Sequence, residues 1–313
     1  MHRNLVILNP TAGKGAASDR IEPWLAGMRT AGLHWDLAVT TGPGHARELA
    51  AAARAELRDV VVAAGGDGTA NEVINGLMES GSGADDRPAL GLLPIGRGND
   101  FAHGALAPHD PRVFAELLAR RRFTPLDVGI VEDMANPASR HFFGNGIGIG
   151  FDTLVGFTAA RATMLHGSMA YFWGALVRMA AFPKAPTVKV AWESGELELR
   201  SIQVSIMNGR RMGGSFRMAP GADPGDGLLD LCAVQVRGRV HLFRMFLRFI
   251  DGTQAEDPGT RTARGSRFAI TALEGTMPVH ADGETIATAA RELRVELLPS
   301  ALRFVGLSGN SGS

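Results

Sequence analysis

Val60 to Ala64 runs straight into Gly65-Gly66-Asp67-Gly68-Thr69, an apolar β-type segment that ends in a glycine-rich turn carrying one carboxylate. Glycine lets the backbone take positive φ and brings successive N–H groups within reach of phosphate oxygens. A lone aspartate in such a turn has a natural task, holding a divalent cation against those phosphates. Beyond it, Asn71-Glu72-Val73-Ile74-Asn75-Gly76-Leu77-Met78 places apolar residues at helical spacing, so the turn should sit at a helix N-terminus, where the dipole favours negative charge. The same residues also suit a plain strand-to-helix turn with a capping Asp or Thr.

Other residues extend the chemistry. Gly13-Lys14 does not complete a Walker loop, because Pro10-Thr11 stands where the upstream glycine is required. Lys14 is then a phosphate contact or an ordinary surface lysine, and the backbone of the Gly66 to Asn71 turn has to be the main anion receptor. Asp100 follows Gly-Arg-Gly-Asn, Asp127 ends an apolar stretch before Val128-Gly129-Ile130, and Asp282-Gly283-Glu284 closes a strand. Singly, acids beside glycine at strand ends are turn formers. Together they could supply metal ligands and one carboxylate to take an acceptor's hydroxyl proton, the needs of metal-assisted phosphoryl transfer.

The elements that must position these groups alternate over the first 130 residues. Strand-like Leu5 to Leu8, Trp35 to Thr40, Val60 to Ala64 and Leu90 to Pro94 interleave with helical segments at 17–31, 45–57 and from about Asn71. That order predicts a mainly parallel sheet covered by helices, with ligands beyond the carboxyl ends of the strands. The turns Asn9 to Gly15, Thr40 to Gly44, Gly65 to Thr69 and Ile95 to Phe101 all fall there. After Asp127 short period-2 runs take over: Thr187 to Trp192, Glu196 to Met207, Leu228 to Val236, Arg267 to Thr271 and Glu292 to Leu297. They predict an antiparallel sandwich or barrel. The expected fold class is α/β: a mainly parallel nucleotide-binding domain over 1–128, to which residues about 299–307 return, and a β-rich acceptor domain over 129–298. The tail 308–313 is expected to be disordered.

Composition narrows the function classes. Lys plus Arg and Asp plus Glu number 32 each, so no global field advertises nucleic acid. The single cysteine, Cys232, excludes an internal disulfide and reads as a buried filler in a reducing compartment. The N-terminal apolar run is too short for a signal peptide, and no segment has the uncharged length of a membrane span. The expected location is the cytoplasm, with the inner membrane face as the place of any peripheral contact.

In order along the chain, Gly65-Gly66-Asp67-Gly68-Thr69 with Asn71-Glu72, Gly96-x-Gly-Asn99-Asp100-Phe101, Asp127-Val-Gly, Asn208-Gly209, Ala219-Pro220 to Asp230, and Asp282-Gly283-Glu284 resemble the diacylglycerol kinase catalytic family. The resemblance runs from about Leu5 to Leu298 and is greatest to bacterial soluble lipid kinases. Gly-Gly-Asp-Gly-Thr alone is shared with NAD kinases and, loosely, phosphofructokinases. It implies ATP binding by Asn9, Pro10, Thr11, Ala12, Gly13, Thr40, Gly66, Asp67, Gly68, Thr69, Ala70, Asn71 and Glu72, with Asp67 acting through the catalytic Mg²⁺. Glu284 matches the proposed general base, and Asp100, Asp127 and Asp282 match acids that support it. Asp226, with Asp223 and Leu228, matches a structural Mg²⁺ site, where the residues alone read as an Asp-Gly turn.

Two departures from the family pattern stand out. Arg97 replaces a hydroxyl near the nucleotide and would bind phosphate or stack on adenine, and Ala12 replaces a common serine at a cost of about 1 kcal/mol. For lipid access, 237–250 reads as an amphipathic helix with Arg237, His241, Arg244 and Arg248 on one face and Leu242, Phe246, Phe249 and Ile250 opposite. It suits an anionic membrane surface or a core-facing helix with a solvated side. Met164 to Phe182 suits an acyl-chain cleft or core packing. The expected activity is an ATP- and Mg²⁺-dependent lipid kinase acting on diacylglycerol, without a nucleic-acid partner and compatible with a homodimer. The alternatives are a kinase for a soluble acceptor such as NAD and a regulator that has lost catalysis.

Overall fold

The computed structural model describes residues 3–79, 83–161, 173–174, 177, 185–214 and 216–307. The chain divides into two compact units, one made by the residues up to Val128 together with those from Pro299, the other by Gly129–Leu298. Strands β5 (Thr124–Asp133) and β16 (Glu292–Phe304) carry the chain from one unit to the other. The segment Met164 to Phe182, apart from Trp173, Gly174 and Val177, and the tail 308–313 lie outside the described residues.

In the first unit, β1 (Asn4–Leu8), β2 (Trp35–Val39), β3 (Val60–Gly65) and β4 (Ala89–Pro94) form a parallel sheet in the order β2-β1-β3-β4, and Phe304 of β16 pairs with Leu90. Every residue of β3 is buried, as a strand with helices over both faces requires. On one face, Ile21, Trp24 and Met28 of α1 (Ala17–Thr30) pack with Phe114 and Leu118 of α5 (Pro111–Ala119) onto Val6, Val62 and Leu93. The rings of Trp24 and Phe114 meet edge to face at 5.8 Å. The chain leaves β1 to one side for β2 and crosses to the other for β3, so the carboxyl ends of β1 and β3 form the switch point at which such sheets bind ligands.

Helix α3 (Asp67–Glu79) begins four residues before the start expected from apolar spacing. Gly66 O accepts from Ala70 N at 3.0 Å, and an aspartate in the first turn complements the helix dipole, so the turn residues belong to the helix itself. Next to it lies α2 (His45–Ala52).

The second unit is an antiparallel sandwich. One sheet has the order β12-β11-β10-β7-β14-β15, with β7 at Gly146–Gly150, β10 at Gln203–Met207, β11 at Leu229–Val234, β12 at Thr260–Gly265, β14 at Met277–Ala281 and β15 at Glu284–Ala290. Facing it is the ladder β16-β13-β8-β9, with β8 at Thr187–Trp192, β9 at Gly195–Arg200 and β13 at Arg267–Glu274. Val188, Ile206, Leu231, Phe268, Val279 and Val295 share one buried core between the sheets. The run Glu196 to Met207, expected as one strand, breaks at Ser201-Ile202, and its halves join different sheets. Ser201 makes the corner by donating its hydroxyl to Gln203 O and Val234 O at 2.7 and 3.0 Å.

The contact of α2 with α3 depends on Gly76, where an added Cβ would stand 2.2 Å from Arg47 O and 2.8 Å from Ala50 Cβ. Gly76→Ala should therefore force the helices apart and cost about 1–3 kcal/mol in urea unfolding. An unchanged midpoint would show that the two helices do not pack as described.

Candidate active site

At the rim of the parallel sheet the turns are tied to one another by backbone and short side chains. Asn9 donates from Nδ2 to Thr69 Oγ1 at 3.0 Å, while its Oδ1 accepts from Thr11 N and Thr11 Oγ1 at 3.0 and 2.8 Å. The first loop is thus fastened to the start of α3. Gly96 N donates to Gly65 O at 3.0 Å, and a Cβ on Gly96 would fall 2.4 Å from Gly66 Cα, so only glycine allows these turns to touch. Gly13, at φ +62°, passes under Arg20, whose guanidinium donates to Ile95 O and Gly96 O at 3.1 Å each. Thr40 is buried and its N–H is held by Leu8 O at 2.9 Å. Pro10, Lys14, Gly68 and Arg97 are exposed, whereas Ala12, Ala70 and Asn71 are buried.

Glu72, assigned to nucleotide by the resemblance, is used otherwise within the fold. Its carboxylate accepts from Gly44 N and Ala46 N at 2.9 and 3.1 Å, which caps the N-terminus of α2 and ties the Thr40 to Gly44 turn to α3.

Asp67 sits between two helix beginnings, its own and that of α4 (Asp100–Gly104). Its Oδ1 accepts from Phe101 N at 3.0 Å, and the backbone N–H groups of Asn99 and Asp100 also face it. Burial pushes the carboxyl pKa above its ordinary value, and these N–H groups offset it only in part. A cation is what such a carboxylate lacks. Among the described residues no three His, Cys, Asp or Glu side chains gather into a metal cage. A lone carboxylate beside backbone N–H groups at a helix N-terminus would suit a Mg²⁺ that takes its other ligands from phosphates and water. Asp100 is buried as the first residue of α4, and Asp127 is buried with Oδ1 accepting from Ser300 N at 2.7 Å, where the chain re-enters this unit.

In the second unit, the tip of the β14–β15 hairpin is Asp282-Gly283, with φ of 48° and 93°, between the paired residues Ala281 and Glu284. Positive φ at both central positions suits a tight hairpin turn, and Asp-Gly is its preferred sequence. The Asp282 carboxylate is spent on structure: Oδ2 accepts from Gly144 N at 2.8 Å, and Oδ1 from Asn145 N and Gly146 N at 3.0 and 2.9 Å. Asn208 and Gly209 fasten the same loop, both backbone N–H groups donating to Asn145 O at 2.8 and 2.7 Å. A Cβ on Gly209 would meet Asn145 Oδ1 at 2.1 Å, which explains the Asn-Gly pair. Glu284, two residues beyond Asp282, is exposed on this braced hairpin.

The turn expected to hold a structural ion is held by an arginine. Arg264 pairs with Asp226 and, at 3.3 Å, with Asp230, while Asp226 Oδ1 accepts from Leu228 N at 3.0 Å. Asp223 Oδ1 accepts from Gly225 N at 3.1 Å, and its carbonyl from Asp226 N at 3.3 Å. Burial raises the Asp230 pKa against the attraction of Arg264, with Asp226 adding to the rise. An ion held by Asp226 with the backbone carbonyls of Asp223 and Leu228 would take the place of that guanidinium.

Sequence reasoning missed an apolar pocket within this second unit, walled by Phe151, Ile202, Phe216, Met245, Phe246 and Phe249. At its polar end stand Asp152, Gln203 and His280, with His280 Nε2 3.6 Å from Asp152 Oδ2 and Gln203 Nε2 3.4 Å from the same oxygen. The signal was Gly146-Ile-Gly-Ile-Gly150. A Cβ on Gly148 would lie 2.0 Å from Asp152 Oδ2 and 2.4 Å from His280 Nε2, so the bare face of β7 is what admits both groups. Cys232 lies in the core beside this pocket, and burial pushes its thiol pKa up to about 12, which removes it as a nucleophile.

Because the raised Asp67 pKa belongs to the folded state, ionised Asp67 opposes folding above that pKa, and the cost disappears as pH falls toward the ordinary value. In metal-free buffer, the stability of Asp67→Asn relative to wild type should be most favourable near neutrality and decline on acidification. Urea unfolding across this range checks it; a relative stability that rises on acidification would mean the carboxyl pKa is lowered instead.

Comparison with known proteins agrees with this geometry. The family described as diacylglycerol kinase catalytic domain matches residues 3–131, and the YegS C-terminal NAD kinase beta sandwich-like domain matches residues 145–306. The chain is 29% identical over 301 residues to a diacylglycerol kinase of Mycobacterium tuberculosis, covering 96% of this chain and 93% of that one. It is 32% identical over 302 residues to a protein of Cronobacter sakazakii named probable lipid kinase YegS-like, covering 96% and 94%. In fold it resembles a diacylglycerol kinase of Bacillus anthracis, with a TM-score of 0.69 at 20% identity over 98% of this chain and 97% of that one. It also resembles yeast NADH kinase, at 0.56 and 11% identity over 99% and 84%. By both domain matches and by these relatives, the chain belongs to the diacylglycerol kinase catalytic family, among its bacterial lipid kinase-like members.

Proposed function

We propose that this protein transfers the γ-phosphoryl group of ATP to the hydroxyl of a lipid, with diacylglycerol as the acceptor. The observation that carries the reading is the apolar pocket of the second unit. Its polar end includes His280, and the same β14–β15 hairpin displays Glu284. A pocket walled by Phe and Met side chains suits alkyl chains, and its few polar groups at one end suit a head group with hydroxyls. A dinucleotide acceptor would ask for the reverse balance.

In this reading the backbone N–H groups at the start of α3 receive the phosphates and Asp67 holds the Mg²⁺. When bound, that ion offsets charge on the phosphates. Glu284 takes the proton of the acceptor hydroxyl, the acceptor oxygen forms its bond to the γ-phosphorus, and the bond to the ADP oxygen breaks. Asp282 acts on Glu284 by bracing the hairpin through its three backbone N–H bonds. Arg97, exposed after β4, would meet phosphate or adenine. Among the described residues no helix is long and apolar enough to cross a membrane.

Labelled ATP with mixed micelles of diacylglycerol should yield labelled phosphatidic acid, whereas labelling of NAD and not of micelles would overturn the lipid assignment. Glu284→Gln should lower kcat by roughly 10²-fold or more with KM for ATP unchanged. Asp282→Ala should lower both turnover and stability, the latter by about 2–3 kcal/mol, because buried N–H groups lose a charged acceptor. Wild-type turnover in Glu284→Gln would remove it as the base, and wild-type stability in Asp282→Ala would remove the bracing role.

A further inference from the structure

Helix α7 (Arg239–Asp251) carries two apolar faces. Leu242, Met245, Phe246 and Phe249 are buried and wall the pocket. Val240, Phe243 and Leu247, at the spacing of one helical stripe, are 70%, 48% and 43% exposed. The sequence pattern did not foresee this second stripe, and it set four cations on one face. Two of them are spent inside the unit. His241 Nε2 meets both Asp257 carboxylate oxygens at 3.1 Å, and Arg248 donates to Thr253 O at 2.8 Å and to Glu256 at 3.3 Å. Arg237, Arg239 and Arg244 remain exposed beside the stripe, and among the described residues no carboxylate pairs with them. Arg237, Arg239 and Arg244 also line a groove at the N-terminal end of the helix, whose one carboxylate, Asp257, is the one held by His241 and Arg248.

We infer that the outer face of α7 is a docking surface for an anionic lipid bilayer. Aromatic and aliphatic side chains flanked by guanidinium groups combine the two contributions that hold a helix in the membrane interface: apolar insertion and attraction to acidic head groups. Of the acids near the helix, Asp257 and Glu256 are engaged by His241 and Arg248, while Asp251 lies exposed at the C-terminal end, so the cationic and apolar surface is the stretch from Arg237 to Leu247. A bilayer also suits the inner face, because the helix that would lie on the lipid is the one that walls the pocket. The docking stands on α7 alone; its purpose, delivery of a lipid acceptor to that pocket, rests on the lipid kinase reading above.

The full-length protein should co-sediment with vesicles of phosphatidylcholine containing phosphatidylglycerol, bind phosphatidylcholine alone weakly, and release as salt rises. Val240→Ser, Phe243→Ser and Leu247→Ser together should lower vesicle affinity by about tenfold or more. The triple variant should keep the wild-type melting temperature and phosphorylate a short-chain, monomeric diacylglycerol at the wild-type rate. Equal binding to neutral and anionic vesicles, unchanged binding by the triple variant, or a change in oligomeric state without vesicle binding would each overturn the proposal. Failure of wild type to phosphorylate the short-chain lipid while still binding vesicles would instead defeat the lipid kinase reading and leave the docking surface in place.

Discussion

The rim of the parallel sheet depends on one carboxylate held between two helix beginnings. Asp67 stands in the first turn of α3 and accepts a backbone N–H from the first turn of α4, so two helix beginnings share one negative charge. Burial outweighs those N–H groups and raises its pKa. The glycines follow from this constraint. Gly66 and Gly96 touch because the turns must close around Asp67, and a Cβ on Gly98 would lie 2.9 Å from its Oδ2. The same arrangement that leaves the carboxylate short of compensation is what makes a phosphate-bound cation welcome there.

Acids in this chain have divided roles. Glu72 caps α2, Asp127 holds Ser300, Asp282 pins the loop at Gly144 to Gly146, and Asp226 pairs with Arg264. Each of these carboxylates is occupied by the fold's own N–H groups or by a guanidinium. Glu284 differs in being exposed at a place whose rigidity comes from its neighbour. Several of these acids thus fix backbone, and the turns they fix are rich in glycine.

The layer architecture was legible because its signals are local. The continuous apolar run Val60 to Ala64 marks a strand covered on both faces, and the alternation in Thr187 to Trp192 marks one covered mainly on one side. The glycine turns at the strand ends were legible for the same reason. What sequence hid was set by distant pairing. Arg264 is 38 residues from Asp226 along the chain, so nothing local showed that the two would pair. The corner at Ser201-Ile202 lay inside an unbroken period-2 run, and the pocket's polar end draws on Asp152, Gln203 and His280 from three segments. The outer stripe of α7 escaped because the helical face opposite the core was read for its basic residues alone, although Val240, Phe243 and Leu247 share it.

The central claim is that Asp67 couples a divalent cation to nucleotide phosphates at the end of β3. Calorimetric titration of ATP with and without Mg²⁺ into wild type and Asp67→Ala tests it most directly. The account predicts that Mg²⁺ tightens ATP binding to wild type and has no such effect on Asp67→Ala, while metal-free ATP binds both alike. An equal gain from Mg²⁺ in the two proteins would contradict it.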